Sequence, residues 1–93
     1  MPTPTGDDWE VAWRDQIDSL AFRAEGHAGV CVVHRRAFET LLGHSASPAE
    51  CVAYFTAQRS TFARAAAAKI ARASLGSADN FHLTSRDITR TMI

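Results

Sequence analysis

The sequence has no apolar run near the ~20 residues that a membrane span needs. Its opening, Met1 to Asp8, is polar, with two prolines and a glycine, and lacks the basic-then-apolar pattern of a secretory signal. The expected location is therefore the cytoplasm. The only two cysteines, Cys31 and Cys51, are then expected to stay reduced as free thiols. Net charge is also missing: the formal value is zero, which argues against bulk nucleic acid or an anionic membrane as partner. No glycine-rich phosphate loop is present. Gly26, Gly29, Gly43 and Gly76 each suit a turn or a helix cap. There is no internal repeat, and Ala65 to Ala68 is a helical patch rather than a linker.

What remains is an ordinary globular composition, 46% hydrophobic and 22% charged, in a chain of 93 residues. That is one domain, with a modest core that buries about 60–65% of the unfolded surface. Charge is unevenly spread. Residues 1–25 hold Asp7, Asp8, Glu10, Asp15, Asp18 and Glu25 against Arg14 and Arg23, a net of −4. Residues 26–76 hold Arg35, Arg36, Arg59, Arg64, Lys69 and Arg72 against Glu39 and Glu50, a net of +4. The simplest reading is internal compensation, an acidic N-terminal layer lying near a basic helix.

The strongest local signal is Ser47-Pro48-Ala49-Glu50 and the run Cys51 to Ser74, which reads as one long amphipathic helix. Ser47 suits the N-cap, Pro48 the first helical position, and Glu50 the third, completing a capping box. Val52, Phe55, Phe62, Ala66 and Ile70 share one face, with a gap at Arg59, while Arg64 and Arg72 lie opposite. Gly76 is the expected stop. Arg59 falls inside the apolar stripe. An unpaired charge there would cost several kcal/mol, so pairing with Asp18, Glu39 or Asp87 is expected, either as a staple or as an anion site.

Around that helix, Trp9, Val11 and Trp13 alternate as a possible first strand, their indoles read as core. Ile17 to Ala24 alternates with Leu20, Phe22 and Ala24 on one face. Glu25 to Gly29 is a turn, and Val30 to Val33 a strand, together making a hairpin. His34 to Leu42 is a short helix stopped by Gly43. Asn80 to Thr84 is a last strand, and Thr84-Ser85-Arg86-Asp87 has capping-box spacing for a terminal turn. The order β-β-α-α-β, with an extra N-terminal strand possible, predicts an α+β fold: a small antiparallel sheet covered on one face by the long helix. The expected organisation is a flexible leader over 1–8, one domain over 9–88 and a frayed tail over 89–93. The expected core is Leu20, Phe22, Val30, Val32, Phe38, Leu41, Phe55, Phe62, Ile70, Phe81 and Leu83.

Several of these segments carry a family resemblance, from about Trp9 to Ile88. They are Leu20-Ala21-Phe22, the turn glycines, Val30 to Val33, Ala37-Phe38-Glu39, Tyr54-Phe55 to Gln58-Arg59, and Phe81-His82-Leu83-Thr84-Ser85-Arg86-Asp87-Ile88. In order and spacing the chain resembles the short bacterial proteins grouped as domain of unknown function 1488. Where that pattern has a Ser or Thr cap followed by an acidic residue, this chain has His34-Arg35-Arg36, two positive charges opposing the helix dipole. The family has no assigned activity, so the resemblance implies a fold and not a function.

No chemical motif stands out. Cys31 and His34 have the spacing of a zinc half-site, with His44 and Cys51 as the other half. Residues three apart on a strand point to opposite faces, so a buried thiol and a cap-position histidine explain them more simply. Gly43 to Ser47 lies between helices and lacks the final glycine of a nucleophile elbow. The helix pair from His34 to Ser74 lacks basic residues on the early turns of its second helix, as DNA recognition would require. The expected function is thus a small cytoplasmic protein-interaction or self-associating module, with no enzyme activity, cofactor or metal. The alternative is a nucleic-acid-associated protein using the basic middle segment. Arg35, Arg36, Arg59, Arg64 and Arg72 are the candidate anion or partner contacts.

Overall fold

The computed structural model describes residues 11–24 and 26–92. The expected leader and Trp9 lie outside these residues. Among them the order is β1 (Ala12–Arg14), a 3₁₀ turn (Asp15–Ile17), β2 (Ser19–Phe22), β3 (Cys31–His34), α1 (Arg35–Leu42), α2 (Pro48–Ala57), α3 (Arg59–Ala73), β4 (Phe81–Leu83) and α4 (Ser85–Met92). The fold is α+β, and the extra N-terminal strand is present as β1.

The sheet order is β1-β2-β3-β4, with β1, β2 and β3 antiparallel in sequence and β4 parallel to β3. The sheet is thus mixed where an antiparallel one was expected. The cause is the connection. Three helices separate β3 from β4, and such a crossover carries the chain back to the end where β3 began. Two loops fix that return. Ala28 and Gly29 both donate their N–H to the Ser77 carbonyl (2.7 and 3.3 Å), and the Val30 N–H donates to Asn80 Oδ1 at 2.8 Å. His27 is buried edge-on against Phe81, with Nε2 2.7 Å from the Asp79 carbonyl. A side chain on Gly29 would run into that same carbonyl, so this position requires glycine.

Leu20, Phe22, Cys31, Val33, Phe81 and Leu83 form the buried sheet face. The phase of β3 corrects an expectation: Cys31 and Val33 point inward, whereas Val30 and Val32 are only half-buried. Register decides this, since Leu20 pairs with Val33 and Phe22 with Cys31. Inward-facing β2 residues demand inward-facing partners. Leu41 and Ile70 are likewise half-buried and pack at the margin of the core.

All four helices contribute to the covering layer, through Ala37 and Phe38, Cys51 and Phe55, Phe62, Ala65 and Ala66, and Ile88. The expected single long helix is two. It breaks at Gln58, whose N–H is shared between the Tyr54 and Phe55 carbonyls. Two residues earlier, Thr56 Oγ1 donates to the Val52 carbonyl at 2.9 Å, a back-bond that bends helices. The bend packs Phe55 against Phe62 at 5.0 Å and Phe22 at 4.9 Å between ring centroids, with the rings tilted by 49° and 52°. The Ser47–Glu50 capping box forms as read, and Gly43 ends α1 in the left-handed region. The stop of α3, however, is Ser74 (φ 53°), two residues before the expected Gly76. The Thr84–Asp87 spacing opens a full helix to Met92 instead of one turn.

Candidate functional site

Because β3 and β4 are parallel, both end on the same side of the sheet. Each runs straight into a helix there: β3 into α1 through His34, and β4 into α4 through Thr84. Ligands commonly bind outside the carboxyl ends of parallel strands. Here that place is a cleft of about 790 Å³, lined by Asp18, His34, Arg35, Arg36, Glu39, Thr40, His82 and Ser85, with Ala37, Leu83 and Thr84 between them.

Each acidic group of the cleft has one carboxylate oxygen bonded: Asp18 Oδ2 accepts from Arg35 Nε at 2.9 Å, and Glu39 Oε2 accepts the Ala46 N–H at 3.0 Å. Several donors there are not bonded. The N-cap of α1 is His34, whose Nδ1 accepts the Arg36 N–H at 3.0 Å. In the neutral ring that leaves the proton on Nε2, as a donor. The Arg36 guanidinium, the His82 ring and the hydroxyls of Thr40 and Ser85 have no partner among the described residues. Among the described residues, the cleft thus offers several unbonded donors and one guanidinium, that of Arg36, without a bonded acid.

The five candidate arginines do not form one surface. Arg35 and Arg36 lie in the cleft. Arg64 donates to the Thr91 carbonyl at 3.0 Å, neutralising the C-terminal end of α4. Arg72 pairs with Asp87 at 2.9 Å, as does Lys69. Arg59 begins α3 half-buried, its guanidinium carbon 5.3 Å from the centroid of the Phe55 ring. The carboxylates expected beside it are held elsewhere: Asp18 by Arg35, Asp87 by Lys69 and Arg72, and Glu39 by the Ala46 N–H. The acid that meets the basic end of α3 therefore comes from α4, through Asp87.

Asp87 is the most constrained ionisable group. It is 7% exposed. Burial pushes its pKa up, but the Thr84 N–H, the Lys69 ammonium and the Thr84 hydroxyl outweigh this and hold it down to about 2. It is also the third residue of α4, completing a capping box with Thr84. On α2, the Ser47 N–H and hydroxyl likewise hold Glu50 below the ordinary carboxylate range.

Cys31 and Cys51 are buried free thiols, and burial raises both pKa values, leaving them inert as nucleophiles. Cys31 faces the core and His34 the opposite, exposed side, as strand geometry requires. Ser47 is an N-cap, and the expected helix pair from His34 to Ser74 is three helices. His82 and Ser85 were not singled out by the sequence. The only hint was the capping-box spacing at Thr84–Asp87, which marks a helix start but not its neighbour. No helix among the described residues is long and apolar enough to cross a membrane.

No family model, curated protein or solved structure matches this chain.

Proposed function

We propose that this chain is a small cytoplasmic interaction module, without catalysis of its own, that holds an anionic group of a protein partner in the cleft between α1 and α4. The observation that carries this is the imbalance of bonded groups there: Asp18 and Glu39 each have a carboxylate oxygen bonded, while among the described residues the Arg36 guanidinium, His34 Nε2, His82, and the Thr40 and Ser85 hydroxyls have no partner. An anion would satisfy donors that water alone satisfies otherwise. Two further facts support binding over chemistry. No hydrogen bond among the described residues joins His34 or His82 to a serine, threonine or cysteine side chain, and both thiols are buried. The reduced thiols also support a cytoplasmic site of action. Nucleic acid is less well supported, because Arg64 and Arg72 serve α4 and Arg35 serves Asp18, leaving the cleft one guanidinium without a partner among the described residues.

Amide NMR with the labelled full chain tests this, using acetate, sulfate and phosphate at low salt. Shifts should centre on 34–40 and 82–86, and Arg36→Ala should suppress them. Shifts scattered over α3, or none that depend on Arg36, would end the reading.

A further inference from the structure

The anion proposed above for the cleft has a chemical class, and we infer that it is a phosphomonoester. The inference rests on that reading and goes beyond it in saying what the donors select. They come from three separate elements. Arg36 and Thr40 belong to α1, with His34 at its cap; His82 belongs to β4; Ser85 opens α4. A carboxylate is planar, with two oxygens, and is best met by a guanidinium lying in its plane. One free guanidinium would serve it completely, leaving the donors on β4 and α4 to water. A phosphomonoester carries about −1.5 to −2 charge near neutral pH and three acceptor oxygens arranged around phosphorus. Such a group has an acceptor oxygen to offer each of the three elements that line the cleft, α1, β4 and α4.

The charged side chains of the cleft, Asp18, Glu39, Arg35 and Arg36, balance, so the preference for an anion rests on which of them is bonded and not on net charge. Asp18 pairs with Arg35, and among the described residues Arg36 is the cation of the cleft without a bonded acid. The remaining donors are imidazole and hydroxyl groups, which add bonds to a group with three oxygens beyond the two that a carboxylate presents. The size of the cleft adds that the group arrives on a carrier. About 790 Å³ lies within the range of pockets for drug-sized ligands and far exceeds one phosphoryl group. The phosphoryl group could be borne by a side chain or by a small metabolite; the chemistry recognised is shared.

The test is a set of amide NMR and calorimetric titrations of the full chain at low salt. The probes are N-acetyl-phosphoserine amide, N-acetyl-aspartate amide, sulfate and adenosine 5′-monophosphate. Phosphoserine should bind at least tenfold more tightly than aspartate or sulfate, with shifts at 34–40 and 82–86. Arg36→Ala should weaken it at least tenfold, and Arg36→Lys should restore part of the loss. Because Arg36 is exposed and its guanidinium bonds no described residue, both variants should fold normally, which the unperturbed spectrum elsewhere verifies. Ser85→Ala should weaken phosphoserine more than aspartate. Equal binding of phosphoserine and aspartate in the cleft overturns the phosphomonoester inference while leaving the anion module intact. Binding that ignores Arg36 overturns both. Adenosine monophosphate separates the sources: tighter binding than phosphoserine identifies a metabolite and overturns the protein partner proposed above, and weaker binding identifies a modified side chain of such a partner, the phosphoryl group being what is held in either case.

Discussion

Asp18 holds Arg35 twice: its carboxylate accepts from Nε at 2.9 Å, and its carbonyl accepts the Arg35 N–H, also at 2.9 Å. The first turn of α1 contains no acidic residue, and His34-Arg35-Arg36 sets two positive charges against the helix dipole. The missing acid is supplied from the end of the 3₁₀ turn. Asp18 reaches it from the left-handed region, with φ 51°. What looks like a poor helix start in the chain is repaired by a residue from another element, and Arg36 is left free.

Asp18→Asn should cost little. The pair is 40% exposed on each side, and such surface pairs contribute about 0.2–1 kcal/mol. Asparagine keeps the left-handed backbone. Asp18→Ala should lose about 1 kcal/mol more, because alanine tolerates that conformation poorly. Urea denaturation of both variants measures the difference.

Asp87 makes stability depend on acid. Its folded pKa, about 2, lies below the ordinary aspartate value, so its contribution is complete above about pH 4. It is lost as pH falls toward 2, when the bonds to Lys69, Arg72 and Thr84 give way. The shift corresponds to about 2 kcal/mol. Denaturation of the native chain and of Asp87→Asn between pH 7 and pH 2.5 should show the two curves converging at the acid end. At pH 7 the variant should be about 2–3 kcal/mol less stable, because two cations lose their partner.

Phe62 is fully buried between Phe38 and Phe55. Phe62→Ala should cost about 3–5 kcal/mol, most of it as a cavity that the bent α2–α3 junction cannot close. Equilibrium unfolding checks the value, and a loss under about 1 kcal/mol would contradict the packing described.

Both thiols should be silent in the folded state. Burial raises the pKa of Cys31 and Cys51, which leaves little thiolate at neutral pH. A chromogenic thiol reagent should react slowly with native protein. After denaturation without reductant it should count two thiols, as the free cysteines require. A count of zero would mean a disulfide and would remove the support for a reducing compartment.

Features set by neighbours within four residues were legible in the chain. The Ser47–Glu50 capping box and the Gly43 helix stop fall in this class, because their bonds close over one turn. So did the α+β class and the inward face of β2, where Leu20 and Phe22 alternate with smaller or polar residues. Even at this range Gly76 misled, since Ser74 took the left-handed position first. β3 defeated the same reasoning. Cys31, Val32 and Val33 are apolar in succession, so alternation carries no phase, and pairing with β2 chose it.

The rest depended on contacts that no local pattern encodes. Asp87 meets Lys69 across 18 residues, and Asp18 meets Arg35 across 17. Charge composition announced that compensation would occur, but not between which residues. Surface charges can exchange partners at little cost, so their pairing follows the packing of the elements that carry them. The cleft has the same origin. His34 and His82 belong to strands joined through three helices, and they share a site because β4 returned parallel beside β3. Residue types and helix starts are written in the sequence. Which of those starts face one another was decided by the sheet order, because only the crossover brings the ends of β3 and β4 to one side.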